Sequence, residues 1–260
     1  MKVAILAGGL GTRISEESHL RPKPMIEVGG QPILWHIMKI YSAFGFNDFV
    51  ICCGYKGYMI KEYFADYYLH RSDVTFDFAD NNRMFIHSNI AEPWKVTLTD
   101  TGLKTQTGGR IRRIRQYVGD KPFLLTYGDG VGDIDLLALL EQHKKTGKTV
   151  TITAVQPKSR FGLLDIDDND EITVRSFVEK KEEAQSWINA GFMVMQPEIF
   201  NYIDDDACIL ERGPFENLSE KGKLGVYKHA GFWQCMDTQR DKSELERLWN
   251  EENAPWKVWE

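Results

Sequence analysis

Lys2-Val-Ala-Ile-Leu6 runs straight into Ala7-Gly-Gly-Leu-Gly-Thr-Arg13. The first segment is short, apolar and partly β-branched, which favours a buried strand over a helix. The second is a glycine loop. Gly8, Gly9 and Gly11 carry no Cβ and reach positive φ at little cost, so their backbone N–H groups can close around an anion. Arg13 adds a planar charged fork suited to phosphate oxygens. A glycine pair alone would mark a tight strand-to-helix turn. Three glycines with Thr12 and Arg13 behind an N-terminal strand point instead to a phosphate cradle.

Two familiar phosphate motifs are absent. No Gly-x-x-x-x-Gly-Lys-Ser/Thr string occurs. A dinucleotide fingerprint begun at Gly9 and Gly11 meets Ile14 where its third glycine belongs, which counts against a dinucleotide-dependent oxidoreductase. Further on, Arg21-Pro-Lys-Pro-Met25 sets Lys23 between two prolines that stiffen the backbone and remove donors. Beside this loop, a held cation reads as a second phosphate ligand.

Working outward, Gln31 to Gly45 reads as a helix, with Pro32 near its start and Gly45 past its end. Ile33, Ile37, Ile40, Tyr41 and Phe44 make its apolar stripe, and His36 reads as a hydrogen-bonded core residue. Asp48 to Cys53 is the second strand and Lys56 to Leu69 a second amphipathic helix. Strand and helix in alternation give an α/β fold: a Rossmann-like, doubly wound, mostly parallel sheet with helices on both faces. Residues 73 to 100 break the rhythm with three short strands. Thr107-Gly-Gly-Arg110 opens a helix to about Val118, with Thr107 as its N-cap. Arg112, Arg113 and Arg115 read as a solvated basic face.

Pro122 to Tyr127 is a strongly apolar, central strand that ends in Gly128-Asp129-Gly130. An acid at the carboxyl end of such a strand lies where open α/β sheets bind ligands, so Asp129 is a candidate Mg²⁺ ligand. After a helix to Gly147 and a strand from Thr149 to Gln156, the chain becomes strand-rich. Asp165 to Asp170 resembles a calcium loop but holds Asp170 at the glycine position and Ser176 at the closing glutamate, so a hairpin tip is the better reading. Ile188 to Met195 is a further strand. Asp237 closes Gly231-Phe-Trp-Gln-Cys-Met-Asp237, and Thr238 with Asp241 can cap the last helix. Trp256 and Trp259 read as exposed aromatics that pack against the protein or a neighbouring subunit.

The chain has 260 residues, a net charge of −6 and four cysteines without metal-ligand spacing. The charge argues against a generally basic nucleic-acid surface. The cysteines read as reduced packing residues. No apolar run is long enough to span a membrane, so neither insertion nor a signal segment is expected and the location is read as cytoplasmic.

The glycine stretch with Lys23-Pro-Met25 resembles the signature of the sugar-1-phosphate nucleotidylyltransferases. The strings Pro32-Ile-Leu-Trp-His-Ile-Met38, Thr107-Gly-Gly-Arg110, Thr126-Tyr-Gly-Asp-Gly130, Arg160-Phe-Gly162 and Met236-Asp-Thr238 extend the similarity, toward the family's cytidylyltransferases, over nearly the whole chain. The resemblance implies a single domain over 1–260, with a nucleotide-binding part to about 150 and a strand-rich sugar-binding part beyond it. It implies CTP and glucose 1-phosphate as substrates, CDP-glucose for dideoxysugar and O-antigen synthesis as product, Mg²⁺ as cofactor, and a homo-oligomer, a hexamer in the family. By the same resemblance, Arg13 and Lys23 are catalytic. Leu6, Ala7, Gly8, Gly9, Leu10, Gly11, Thr12, Arg13, Lys23, Thr105, Arg110 and Gly128 bind the nucleotide. Gly162, Glu179, Lys180 and Asn189 bind the sugar phosphate, and Asp129 and Asp237 hold the metal. Lys181, Ala190 and Gly213 depart from the family's proline, glycine and glutamate, which bears on the sugar. The rival readings are another sugar 1-phosphate or nucleotide in the same chemistry, and a non-catalytic sensing module on the same fold.

Overall fold

The computed structural model describes residues 1–156, 163–166, 174–178 and 186–259, the two short middle segments and residues 13, 15 and 16 by backbone alone. The expected sugar-phosphate residues Gly162, Glu179 and Lys180, and Lys181 beside them, lie outside the described residues.

Strand β1 (Lys2–Ala7) leads through a 3₁₀ turn at Thr12–Ile14 into α1 (Ser15–Ser18). A second 3₁₀ turn, Lys23–Met25, and the small ribbon β2 (Glu27–Val28) and β3 (Gln31–Pro32) precede α2 (Ile33–Ala43). Then come β4 (Asp48–Cys53), α3 (Gly57–Ala65), α4 (Tyr67–His70), β5 (Ser72–Asp77), β6 (Arg83–Asn89) and β7 (Lys95–Asp100). The second quarter continues with α5 (Thr107–Arg113), α6 (Arg115–Val118), β8 (Phe123–Tyr127), β9 (Gly130–Gly132), α7 (Leu136–Thr146) and β10 (Val150–Val155). The remainder holds β11 (Leu163–Ile166), β12 (Val174–Val178), β13 (Ile188–Met195), α8 (Pro214–Glu220), β14 (Leu224–Lys228), β15 (Trp233–Cys235) and α9 (Gln239–Asn250).

Seven strands form the central sheet in the order β14-β10-β13-β8-β1-β4-β7, parallel except for β13. The chain winds outward from β1 to β4 and β7, then returns to the other side of β1 with β8. The order therefore reverses between β1 and β8, and the crevice at their carboxyl ends is where such sheets take ligands. Alternate residues of each strand feed two cores. Val3, Ile5, Phe49, Ile51 and Leu124 meet α2 on one face, whereas Ala4, Leu6, Val50, Cys52 and Leu125 meet Ile111 of α5 and Leu218 of α8 on the other. Each fully buried Ile or Leu contributes about 1.5–3 kcal/mol relative to exposure, so this double burial fixes register. Cys52 and Cys53 fall on opposite faces and, with Cys208 and Cys235, are free. No helix among the described residues is long and apolar enough to cross a membrane.

Several expectations need correction. The expected helix from Lys56 to Leu69 is interrupted at Asp66, and that from Thr107 to Val118 at Ile114. Gln106, not Thr107, is the N-cap of α5, because the Thr107 hydroxyl is taken by Leu210 and Glu211. Of the three strands in residues 73–100, β5 and β6 form a separate antiparallel hairpin and β7 joins the main sheet as an edge strand. Arg113 is not merely solvated: it forms a forked pair with Asp206. Trp256 is fully buried, stacked on Phe232 and Trp249, and Trp259 meets Trp35 edge-on. The aromatic tail thus packs within its own chain.

Candidate active site

A cleft of about 420 Å³ opens at the carboxyl ends of β1 and β8. Leu6 to Gly9, Gly11 and Thr12 form one wall, Lys23 and Pro24 another, and Thr105 to Thr107 with Arg110 a third. Tyr127, Gly128, Asp129 and Asp237 make the floor. The glycines are needed where the backbone crowds. A Cβ on Gly128 would lie 2.8 Å from the Leu6 carbonyl, and one on Gly8 would lie 2.1 Å from the Arg110 guanidinium. Gly11 holds φ at +67°, a conformation that favours glycine.

The two acids come from distant parts of the chain and are joined by main chain. β9 and β15 pair with Gly130 opposite Cys235, and the Met236 N–H donates to the Asp129 carbonyl at 2.8 Å. Asp241 then fastens the turn that follows: its Oδ2 accepts from the backbone of Asp237 at 3.1 Å and of Thr238 at 2.9 Å. Thr238 is the N-cap of α9, as the sequence predicts, with Asp241 completing the capping box.

Lys23 bridges the pair. Its Nζ lies 2.6 Å from Asp129 Oδ2 and 2.5 Å from Asp237 Oδ1. Burial alone would lower the Lys23 pKa, but the charges and hydrogen bonds of Asp129 and Asp237 outweigh it and hold the pKa above its ordinary value. The ammonium is therefore a fixed positive charge. Two carboxylates converging on one cation at the edge of a cleft also suit a hard divalent cation that takes its other ligands from water and phosphate. Among the described residues there is no group of three or more His, Cys, Asp or Glu that could hold a metal, so a cation at Asp129 and Asp237 would take its remaining ligands from water or from a bound molecule.

Arg110 lines the cleft from behind the glycine loop. Its guanidinium is buried behind the glycine loop, donating to the carbonyls of Gly8 at 3.0 Å, Cys53 at 3.3 Å and Gly102 at 2.9 Å and to the Thr101 hydroxyl at 2.7 Å. It lines the cleft, yet most of its donors tie β1, β4 and the loop before α5 together. Burial lowers its pKa, and it stays charged.

Sequence reasoning missed Tyr127, Gln106 and Thr107 as cleft residues, and Glu211 behind them. Tyr127 donates its phenolic proton to Glu211 Oε1, and Thr107 donates to Glu211 Oε2 at 2.8 Å. Burial and the adjacent Glu211 carboxylate raise the Tyr127 pKa, which keeps the phenol protonated. Tyr127 had a signal, its place just before Gly128-Asp129 at a strand end. Glu211 had none, because its partners are far away in sequence. Of the expected nucleotide residues, Leu6, Ala7, Gly8, Gly9, Gly11, Thr12, Lys23, Thr105, Arg110 and Gly128 do meet in the cleft. Leu10 does not line it and is half exposed, and the Arg13 side chain is outside the described atoms. Asn189 stands beside the floor, bonded to Tyr127.

This chain belongs to the nucleotidyl transferase family, whose model matches residues 2–217. It is 56% identical, over the whole of both chains, to a glucose-1-phosphate cytidylyltransferase from Salmonella typhi. It is 27% identical to a mannose-1-phosphate guanyltransferase from Aspergillus oryzae, over 93% of this chain and 62% of that one. Among solved structures, HddC from Yersinia pseudotuberculosis shares the fold, with a TM-score of 0.67 and 23% identity over 95% of this chain and 99% of that one.

Proposed function

We propose that this chain transfers the cytidylyl group of CTP to α-D-glucose 1-phosphate, giving CDP-glucose and pyrophosphate. The observation that carries this reading is the 56% identity over full length to the Salmonella typhi enzyme, joined to a cleft in which a glycine loop, a lysine and two carboxylates converge. A phosphate oxygen of the sugar 1-phosphate attacks the α-phosphorus of CTP. The bond to the bridging oxygen breaks, and pyrophosphate departs with the electron pair. Such a displacement needs alignment and charge neutralisation more than a protein nucleophile.

The glycine loop and Arg13 hold the triphosphate. Arg110 keeps that loop in shape, and Thr105 meets the base. Lys23 offsets the negative charge that builds on the transferring phosphoryl group. Asp129 and Asp237 hold Mg²⁺, which when bound neutralises and orients phosphate oxygens. Gly162, Glu179, Lys180 and Asn189 receive the sugar phosphate. On this reading the chain works as one domain, nucleotide part to about residue 150 and sugar part beyond it. It acts in the cytoplasm as a homo-oligomer, and its product serves dideoxysugar and O-antigen synthesis.

The test is pyrophosphate release with Mg²⁺, each of the four common nucleoside triphosphates being paired with a panel of sugar 1-phosphates. Release confined to CTP with glucose 1-phosphate is expected. Release with a different pair would move the substrate and leave the chemistry. Folded protein that binds nucleotide but releases nothing would make the chain a sensing module.

A further inference from the structure

We infer that Glu211 sets the direction of a hydrogen-bond chain through Tyr127 to Asn189, and that this chain presents Asn189 as a fixed donor to one hydroxyl oxygen of the sugar. The inference rests on the proposed function for the identity of the ligand and on the geometry below for everything else.

A carboxylate only accepts, and both Glu211 oxygens are engaged, Oε1 by Tyr127 and Oε2 by Thr107. The phenolic proton of Tyr127 therefore points at Glu211, and its oxygen is left to accept. Asn189 supplies the donor: its Nδ2 lies 3.4 Å from that oxygen. The other end of the amide is equally constrained, since Asn189 Oδ1 accepts the Gly191 N–H at 2.9 Å, which assigns the oxygen and nitrogen without ambiguity. One N–H of Asn189 remains, with no partner among the described residues. An amide whose oxygen is used and whose nitrogen has one spare proton meets an acceptor, and on a sugar that acceptor is a hydroxyl oxygen.

The segment is held rigidly. Gly191 sits at φ +87°, and a Cβ there would come within 2.4 Å of the Tyr127 ring, so the ring lies flush on the backbone. The Ala190 carbonyl accepts from Trp233 Nε1 at 2.8 Å, and Trp233 belongs to the ribbon that carries Asp237. Thr107, on the nucleotide side of the cleft, shares the same Glu211. Tyr127 and Glu211 are thus positioning residues, acting on the sugar through Asn189.

Two variants test this. Tyr127→Phe keeps the ring against Gly191 and deletes the relay. Glu211→Gln keeps the size but adds a donor, so the chain loses its single direction. The Michaelis constants for glucose 1-phosphate and CTP are measured for both, with binding of the sugar phosphate followed by calorimetry. In Tyr127→Phe the glucose 1-phosphate constant is expected to rise about 3- to 12-fold, the scale of one hydrogen bond, with the CTP constant within about two-fold. Mono-deoxy glucose 1-phosphates give the sharper readout. One of them is expected to be disfavoured by the wild type and to lose that penalty in Tyr127→Phe and Glu211→Gln. Equal shifts for both substrates in Tyr127→Phe, or deoxy penalties unchanged in both variants, would overturn the inference alone. Wild-type protein that neither turns over nor binds any sugar phosphate would overturn the proposed function and this inference together.

Discussion

Arg110 Nη2 donates to the Gly8 carbonyl at 3.0 Å, so a guanidinium that lines the cleft also braces the back of the glycine loop. The loop's shape is thereby set from inside the protein before any phosphate arrives.

Arg110→Lys should therefore damage stability as well as nucleotide binding. Lysine keeps the charge but cannot serve four acceptors spread over Gly8, Cys53, Thr101 and Gly102. Each buried carbonyl left unpaired costs about 1–3 kcal/mol, so a loss of about 2–4 kcal/mol is expected in urea denaturation. Calorimetry should show CTP binding weakened at least about ten-fold, the equivalent of 1.4 kcal/mol. Wild-type stability in the lysine variant would mean that the fork is dispensable.

Lys23→Met removes the cation between Asp129 and Asp237. Turnover should fall about 100- to 1000-fold, the usual consequence of deleting one preorganised charge-stabilising donor. The variant also leaves two carboxylates facing one another. Mg²⁺ or Mn²⁺ without nucleotide should raise its melting temperature more than that of the wild type, where the ammonium already fills the position. Kinetics close to wild type would remove Lys23 from the chemistry.

Asp241→Ala should act at a distance from the ligand. Asp241 is almost fully buried and accepts from the backbones of Asp237 and Thr238, the Thr238 hydroxyl and Gln234. Loss of the capping box and of the Asp237 anchor should cost about 1–3 kcal/mol. The companion Thr238→Ala breaks the cap but spares the Asp237 N–H bond, so it should retain more activity than Asp241→Ala. Equal activity in the two variants would show that the anchor does not matter.

His36 predicts an acid limb in the stability profile. Burial pushes its imidazole down to about 4, against the opposing pull of its backbone hydrogen bonds. Its Nε2–H donates to the Val28 carbonyl at 2.8 Å and its Nδ1 accepts from Trp256 at 3.4 Å, so a second proton would have to enter where an indole N–H already points. An unfolded histidine titrates near 6.5, so the unfolded state binds more protons between the two values. Stability should be full above about pH 6.5, fall as pH drops, and level off below about pH 4, with a total loss of roughly 3 kcal/mol from this group. His36→Gln should flatten that limb in denaturation curves taken from pH 7 to 4. An identical slope in the variant would assign the acid sensitivity elsewhere.

The strands were the most legible part of the chain. Asp48–Cys53 and Ile188–Met195 are predicted to the residue, because strands buried on both faces are written as continuous apolar runs. The glycine loop, Lys23, Asp129 and Asp237 were legible too, since each lies at a punctuated junction. What stayed hidden depends on partners remote in sequence. Thr107 looks like a cap until Glu211 and Leu210 claim its hydroxyl, and nothing beside Arg110 in the sequence announces the carbonyls of Gly8, Cys53 and Gly102 that it holds. Trp256 reads as exposed because only the folded chain brings His36 and Phe232 against it.

The ribbon of β9 and β15 has a further consequence. The chain leaves the sheet's centre just after Asp129, builds the strands from β10 to β14, and returns to the same two-stranded ribbon just before Asp237. The spacing of the two acids is therefore set by backbone pairing at the neck of the excursion, with the Trp233–Ala190 bond tying that neck to a strand within it. The ribbon is thus a clasp that makes spatial neighbours of two acids set far apart in the sequence.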